Sequence, residues 1–147
     1  MTQPRLARRL TLLAGATLLA AAPLWAQAQA PIIIKFSHVV APDTPKGKGA
    51  LRFKELAEQR TGGRVKIEVY PNSQLYKDKE ELEALQLGSV QMLAPSLAKF
   101  GPLGVKEFEV FDLPYIFKDQ AAFRAVTDGP VGADLFRKLE SKGIQGL

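Results

Sequence analysis

The chain has 147 residues, a single histidine, no cysteine and a formal charge of +5. The absence of cysteine excludes disulfides, thiol catalysis and thiolate metal sites. Three of the cations, Arg5, Arg8 and Arg9, belong to an N-terminal stretch that reads as an export signal; subtracting them leaves +2, no argument for a nucleic-acid partner.

That stretch has a basic start and an apolar run from Leu10 to Ala22, too short for a comfortable membrane span, followed by small residues. Ala26-Gln27-Ala28 and Ala28-Gln29-Ala30 both fit small-x-small cleavage. A cut after Ala28 is preferred, because a cut after Ala30 would leave Pro31 at the new N-terminus. Residues 1–28 are therefore expected to be a signal peptide and residues 29–147 the mature part. A retained anchor is the alternative, and Arg8-Arg9 fits a twin-arginine or an ordinary signal equally well. Export without cysteine points to a periplasmic protein held together by its core, soluble once cleaved.

Ile32, Ile33 and Ile34 open the mature part as a continuous β-branched run, which predicts a strand covered on both faces. His38 follows at its C-terminal end. Thr44 with Pro45 predicts a cap and first turn for a helix to about Arg60, with Phe53, Leu56 and Ala57 on its apolar face. Gly49, one turn before Phe53, either lets that helix approach the sheet or is merely tolerated. Gly62-Gly63 ends the helix, and Val65, Ile67 and Val69 alternate with polar residues as a second strand.

Pro71 and Asn72 break that strand. Asp78 is expected to cap the next helix, with Glu80, Glu81 and Glu83 placed to suit its dipole and Gly88 to stop it. Val90, Met92 and Leu93 form a third short strand, followed by a loop carrying Ser96 and Lys99. Strand, helix, strand, helix, strand predicts an α/β fold with a mostly parallel sheet flanked by helices. Residues 107–117 (EFEVFDLPYIF) are expected to be core, or failing that a cleft wall. Asp119 and the segment from about Gly132 to Ser141 predict two more helices. Residues 144–147 look like the approach to another strand.

Catalysis has little to work with. No Gly-x-Ser-x-Gly elbow, HExxH motif, Walker loop or GxGxxG is present, and Glu109 with Asp112 is no more than any acidic loop offers. No cofactor or metal is implied. Binding remains: His38, Lys77, Ser96 and Lys99 each follow a strand and could converge on one rim, where a histidine, a hydroxyl and cations suit an organic anion.

Several phrases occur together in order: IKFSHV (34–39), YPNSQLY (70–76), EELEALQLG (80–88), MLAPS (92–96) and FDLPYIF (111–117). On them the chain resembles the N-terminal part of a periplasmic solute-binding protein of the tripartite ATP-independent periplasmic (TRAP) transporters, of the C4-dicarboxylate-binding type. The resemblance implies a periplasmic binding protein-like lobe, one of two that close around an acidic solute and deliver it to a permease with small and large membrane subunits. It also implies ligand contacts at His38, at Lys77 or Asp78, and at Ser96. Sialic-acid-binding relatives carry glutamate where this chain has Ser96, so serine favours a small dicarboxylate such as succinate, malate or fumarate. Another organic or sugar acid is the alternative ligand, and an exported enzyme the alternative from another class. The family's arginine that pairs with the ligand carboxylate belongs to the second lobe, and no residue here is assigned that role. The second lobe is expected to be missing or incomplete, and residues 29–147 to be a fragment that binds poorly alone.

Overall fold

The computed structural model describes residues 30–147; the expected signal peptide, residues 1–28, and its cleavage site lie outside them. Strand β1 (Ile32–Ser37) leads to helix α1 (Pro45–Arg60), β2 (Val65–Tyr70), α2 (Glu81–Gln86) and β3 (Met92–Leu93). Two 3₁₀ segments follow, Leu97–Leu103 and Lys106–Asp112, then α3 (Gln120–Thr127) and α4 (Pro130–Glu140). The three strands form one parallel sheet in the order β2-β1-β3. β1 pairs with β2 from Ile32↔Val65 to Ser37↔Tyr70, but with β3 only at Phe36↔Met92 and Ser37↔Leu93.

Several local signals act as expected. The Thr44 hydroxyl accepts from Gly47 N at 3.2 Å with Pro45 at the first helical position. The Asp119 carboxylate accepts from Ala122 N at 2.7 Å at the head of α3. Gly62, Gly63 and Gly88 take the positive φ with which helices commonly end. The outward backbone of β2 is covered by α1: Glu58 accepts from Ile67 N at 2.9 Å and Thr61 from Val65 N at 3.2 Å. These contacts blunt an open sheet edge.

The core is split by the sheet. On one side Phe36, Ala50 and Ile67 pack with Ile34, Ala57, Val69 and Met92. On the other, Leu82, Phe100, Val105, Phe108, Leu135, Leu139 and Ile144 form a larger cluster joined by Leu93 and Phe136. Met92 and Leu93 belong to opposite clusters, as alternation along a buried strand requires.

Several local expectations are corrected or settled. Ile32 and Ile33 are 64% and 44% exposed, because β3 reaches only the last two residues of β1 and leaves its start uncovered among the described residues. Of the expected face of α1, Ala57 packs against the core, but the fully buried residues are Gly47 and Ala50, and Phe53 is 38% exposed, its ring edge-on to Phe36. The close approach is made at Gly47 rather than Gly49: a Cβ at Gly47 would run into the backbone of Ala41 and Pro42, whereas one at Gly49 would meet nothing within 4 Å. The 107–117 stretch divides, with Phe108 buried and Leu113, Tyr115 and Ile116 on the surface. Residues 144–147 are irregular, with Ile144 turned into the larger cluster.

Candidate functional site

The chain leaves β1 towards one side, returns as β2, and then crosses to the opposite side of β1 for β3. That reversal marks the carboxyl ends of β1 and β3 as the place where open α/β sheets take ligands.

His38 lies at this point, one residue past β1, and is 1% exposed. Its backbone is tied on both sides: His38 N donates to the Tyr70 carbonyl at 3.0 Å, and its carbonyl accepts from Ser73 N at 3.2 Å. Asn72 N donates to the Val40 carbonyl at 3.0 Å, completing a clamp between the loops that leave β1 and β2. Asn72 and Ser73 both take positive φ to make it. The imidazole packs edge-on to Phe36 at 6.1 Å, and neither ring nitrogen has a hydrogen-bond partner among the described residues. Burial lowers its pKa below the usual 6.5; the Val40 backbone opposes this, and the Lys46 charge adds to it. Burial thus favours the neutral ring, which can donate from one nitrogen and accept at the other.

Three lysines and three acids lie on the segments that follow the strands. Lys46, in the first turn of α1, reaches across to donate from Nζ to the Ala94 carbonyl at 2.9 Å, just past β3. Lys99, in the first 3₁₀ segment, pairs with Asp78, and that bond raises its pKa. Asp78 does not cap α2 as expected; Glu80 occupies the cap position, and its carboxylate accepts from Lys77 N at 3.2 Å. Ser96 Oγ lies 3.4 Å from Asp112 Oδ1. Lys77 stands exposed on the same turn as Asp78. The geometry thus joins Asp78 with Lys99 and Ser96 with Asp112, sets His38 within the field of Lys46, and leaves Lys77 at the periphery.

Lys46 and Glu81 were not singled out from the sequence. Lys46 had a signal in its position, immediately after the Thr44-Pro45 helix start and so on the rim. Glu81 reads like Glu80 and Glu83, but it precedes Ala84 and Leu85 by three and four residues and shares their face. It is completely buried.

The arrangement offers a neutral imidazole, a hydroxyl, lysine ammoniums and partly offsetting carboxylates. Among the described residues no group of three or more His, Asp or Glu could hold a metal ion, and no helix is long and apolar enough to cross a membrane. A cavity of about 560 Å³ lies elsewhere, between α2, β3 and α4. Leu82, Leu85, Val90, Leu97 and Phe136 line it without a charged side chain, so its chemistry does not suit a small anion.

Known proteins with this sequence pattern are numerous. The chain is 70% identical over 140 residues to the C4-dicarboxylate-binding periplasmic protein DctP of Rhodobacter capsulatus, covering 95% of this chain and 42% of that protein. A TRAP periplasmic solute-binding protein from Pseudomonas aeruginosa, solved with bound L-malate, superposes with a TM-score of 0.75 at 54% identity over 80% of this chain and 40% of that one. A second, from Sulfurospirillum deleyianum with bound succinate, does so with 0.75 at 47% identity over 80% and 38%. The chain thus spans about two-fifths of the length of these relatives. The family model described as bacterial extracellular solute-binding protein, family 7 (DctP) matches residues 36–147, and the chain belongs to that family.

Proposed function

We propose that this chain forms the first-lobe α/β region, residues 29–147, of the solute-binding component of a TRAP transporter, a binding protein and not an enzyme. It captures a C4-dicarboxylate in the periplasm, after export on a cleaved signal of residues 1–28, and passes it to the small and large membrane subunits of a permease. The observation that carries this is the buried His38 at the sheet's switch point, its two ring nitrogens unpartnered and Lys46 beside it. Buried polar groups are nearly always paired, so one held open by a rigid clamp is suited to meeting a ligand. The bound L-malate and succinate of the two structural relatives support a short dicarboxylate.

His38 and Ser96 contact ligand oxygens, Lys99 and Lys77 supply positive charge, and Asp78 orients Lys99. On this half the fixed charges nearly balance, so a dianion needs a further cation, the role that the family resemblance gives to an arginine of the second lobe.

The test is thermal denaturation of the intact gene product with succinate, L-malate, fumarate and sialic acid. Dose-dependent stabilisation by the C4 acids, and none by sialic acid, is expected. Stabilisation by sialic acid alone contradicts the proposed ligand, and turnover of any of them contradicts a pure binding role.

A further inference from the structure

Glu81 has no use in the fold that its surroundings explain. It is the first residue of α2, fully buried, and neither carboxyl oxygen has a hydrogen-bond partner among the described residues. The charges that act on it come from three elements: Asp78 in the turn before α2, Lys46 in α1, and Lys99 in the segment after β3. Each is already engaged elsewhere, Lys99 with Asp78 and Lys46 with the Ala94 carbonyl. Lys46 also acts on His38, so the carboxyl and the open imidazole share one cation.

Burial is the largest influence on Glu81, and Asp78 adds to it against the opposing pull of Lys46 and Lys99; the carboxyl is pushed up to about 7. The neutral acid is the form such a position favours, and unlike a carboxylate it has an O–H to donate. An anion arriving between Lys46, Lys99 and His38 adds negative charge beside Glu81 and holds the proton more firmly.

We infer that Glu81 meets the bound ligand as the protonated acid and donates a hydrogen bond to one of its carboxylates, so that capture of a dicarboxylate dianion takes up one proton. The inference rests on the dicarboxylate site proposed above. The proton comes from solvent, stays on Glu81 while the ligand is bound, and returns when it leaves. Neighbouring ammoniums alone attract an anion of any kind. A buried carboxylic acid adds a demand for an acceptor oxygen at one place, and ties affinity to pH.

The experiment is calorimetric titration of the intact gene product with succinate at pH 7 and pH 8, in phosphate and in Tris, whose ionisation enthalpies differ. The buffer dependence should report close to one proton taken up per succinate at pH 8 and about half of one at pH 7. Affinity should fall about tenfold per pH unit above 7, as uptake of one proton requires. Glu81→Gln, which keeps a donor but cannot titrate, should lose both the uptake and the pH dependence. His38→Asn should bind more weakly and keep the uptake at pH 8. Saturable binding without uptake at pH 8 in the unaltered protein overturns the inference with no variant needed. Uptake that survives Glu81→Gln, or that vanishes in His38→Asn, overturns it as well. No saturable binding at either pH removes the dicarboxylate site itself, and the proton linkage with it.

Discussion

Lys46 Nζ donates to the Ala94 carbonyl at 2.9 Å, joining the first turn of α1 to the chain just past β3. The contact links the segments that follow β1 and β3 and places a positive charge within the field of both His38 and Glu81. Lys99 also acts on Glu81, and is paired with Asp78. Both ammoniums lie near the surface, where such pairs contribute little to stability.

Removing either charge should therefore weaken binding more than folding. Lys46→Met and Lys99→Met are each expected to lower succinate affinity about tenfold or more, because a desolvated anion loses a charged partner. Their melting temperatures should stay within a few degrees of the parent. Calorimetry and thermal melts of the same samples check this; unchanged affinity in both variants would place the anion away from the carboxyl ends of β1 and β3.

Two glycines of α1 should respond oppositely to the same substitution. Gly47→Ala puts a methyl against Ala41 O and within 2.7 Å of Pro42 Cα, both backbone atoms that cannot step aside. A loss of about 1–3 kcal/mol is expected. Gly49→Ala meets open space and should gain about 0.5–1 kcal/mol from helix propensity. Urea unfolding of the pair decides the matter, and equal effects would mean that the β1–α1 loop does not press on the helix as described.

The sequence displayed those features that act over a few residues. Thr44-Pro45 and Asp119 announced their helices, Gly88 its helix end, and the alternation of strands with helices announced the parallel sheet. Gly47 and Gly49 could not be told apart, because the difference lies in where the loop at Ala41 and Pro42 folds back. Asp78 looked like a cap by spacing, yet the helix starts later and its carboxylate is drawn to Lys99, twenty-one residues on. His38, Ser96 and Lys99, proposed here as ligand contacts, could be picked out by their positions after strands. Glu81 was not, because the fold closes over one glutamate of the three and leaves Glu80 and Glu83 exposed.

Glu81 also sets a pH dependence of stability. Its folded pKa, pushed up to about 7, lies above the ordinary 4.5, so the native state binds the proton more tightly than the unfolded chain. The stability it contributes is complete below about 4.5, declines as pH rises, and is lost above about 7. At about 1.4 kcal/mol per pKa unit, the loss is on the order of 3 kcal/mol. Glu81→Gln should therefore be more stable than the parent at pH 8, with the gap closing towards pH 4. Urea midpoints at pH 4, 6 and 8 measure it, and a gap that does not change with pH would mean that the carboxyl is not held neutral.

The most direct test of the site is succinate calorimetry on His38→Ala and Ser96→Ala in the intact gene product. If these side chains meet ligand oxygens at the carboxyl ends of β1 and β3, each variant should lose about 1–3 kcal/mol of binding free energy, while its melting temperature changes far less. Parent-like affinity in both, alongside saturable binding by the parent, would contradict the placement of the ligand at these strand ends.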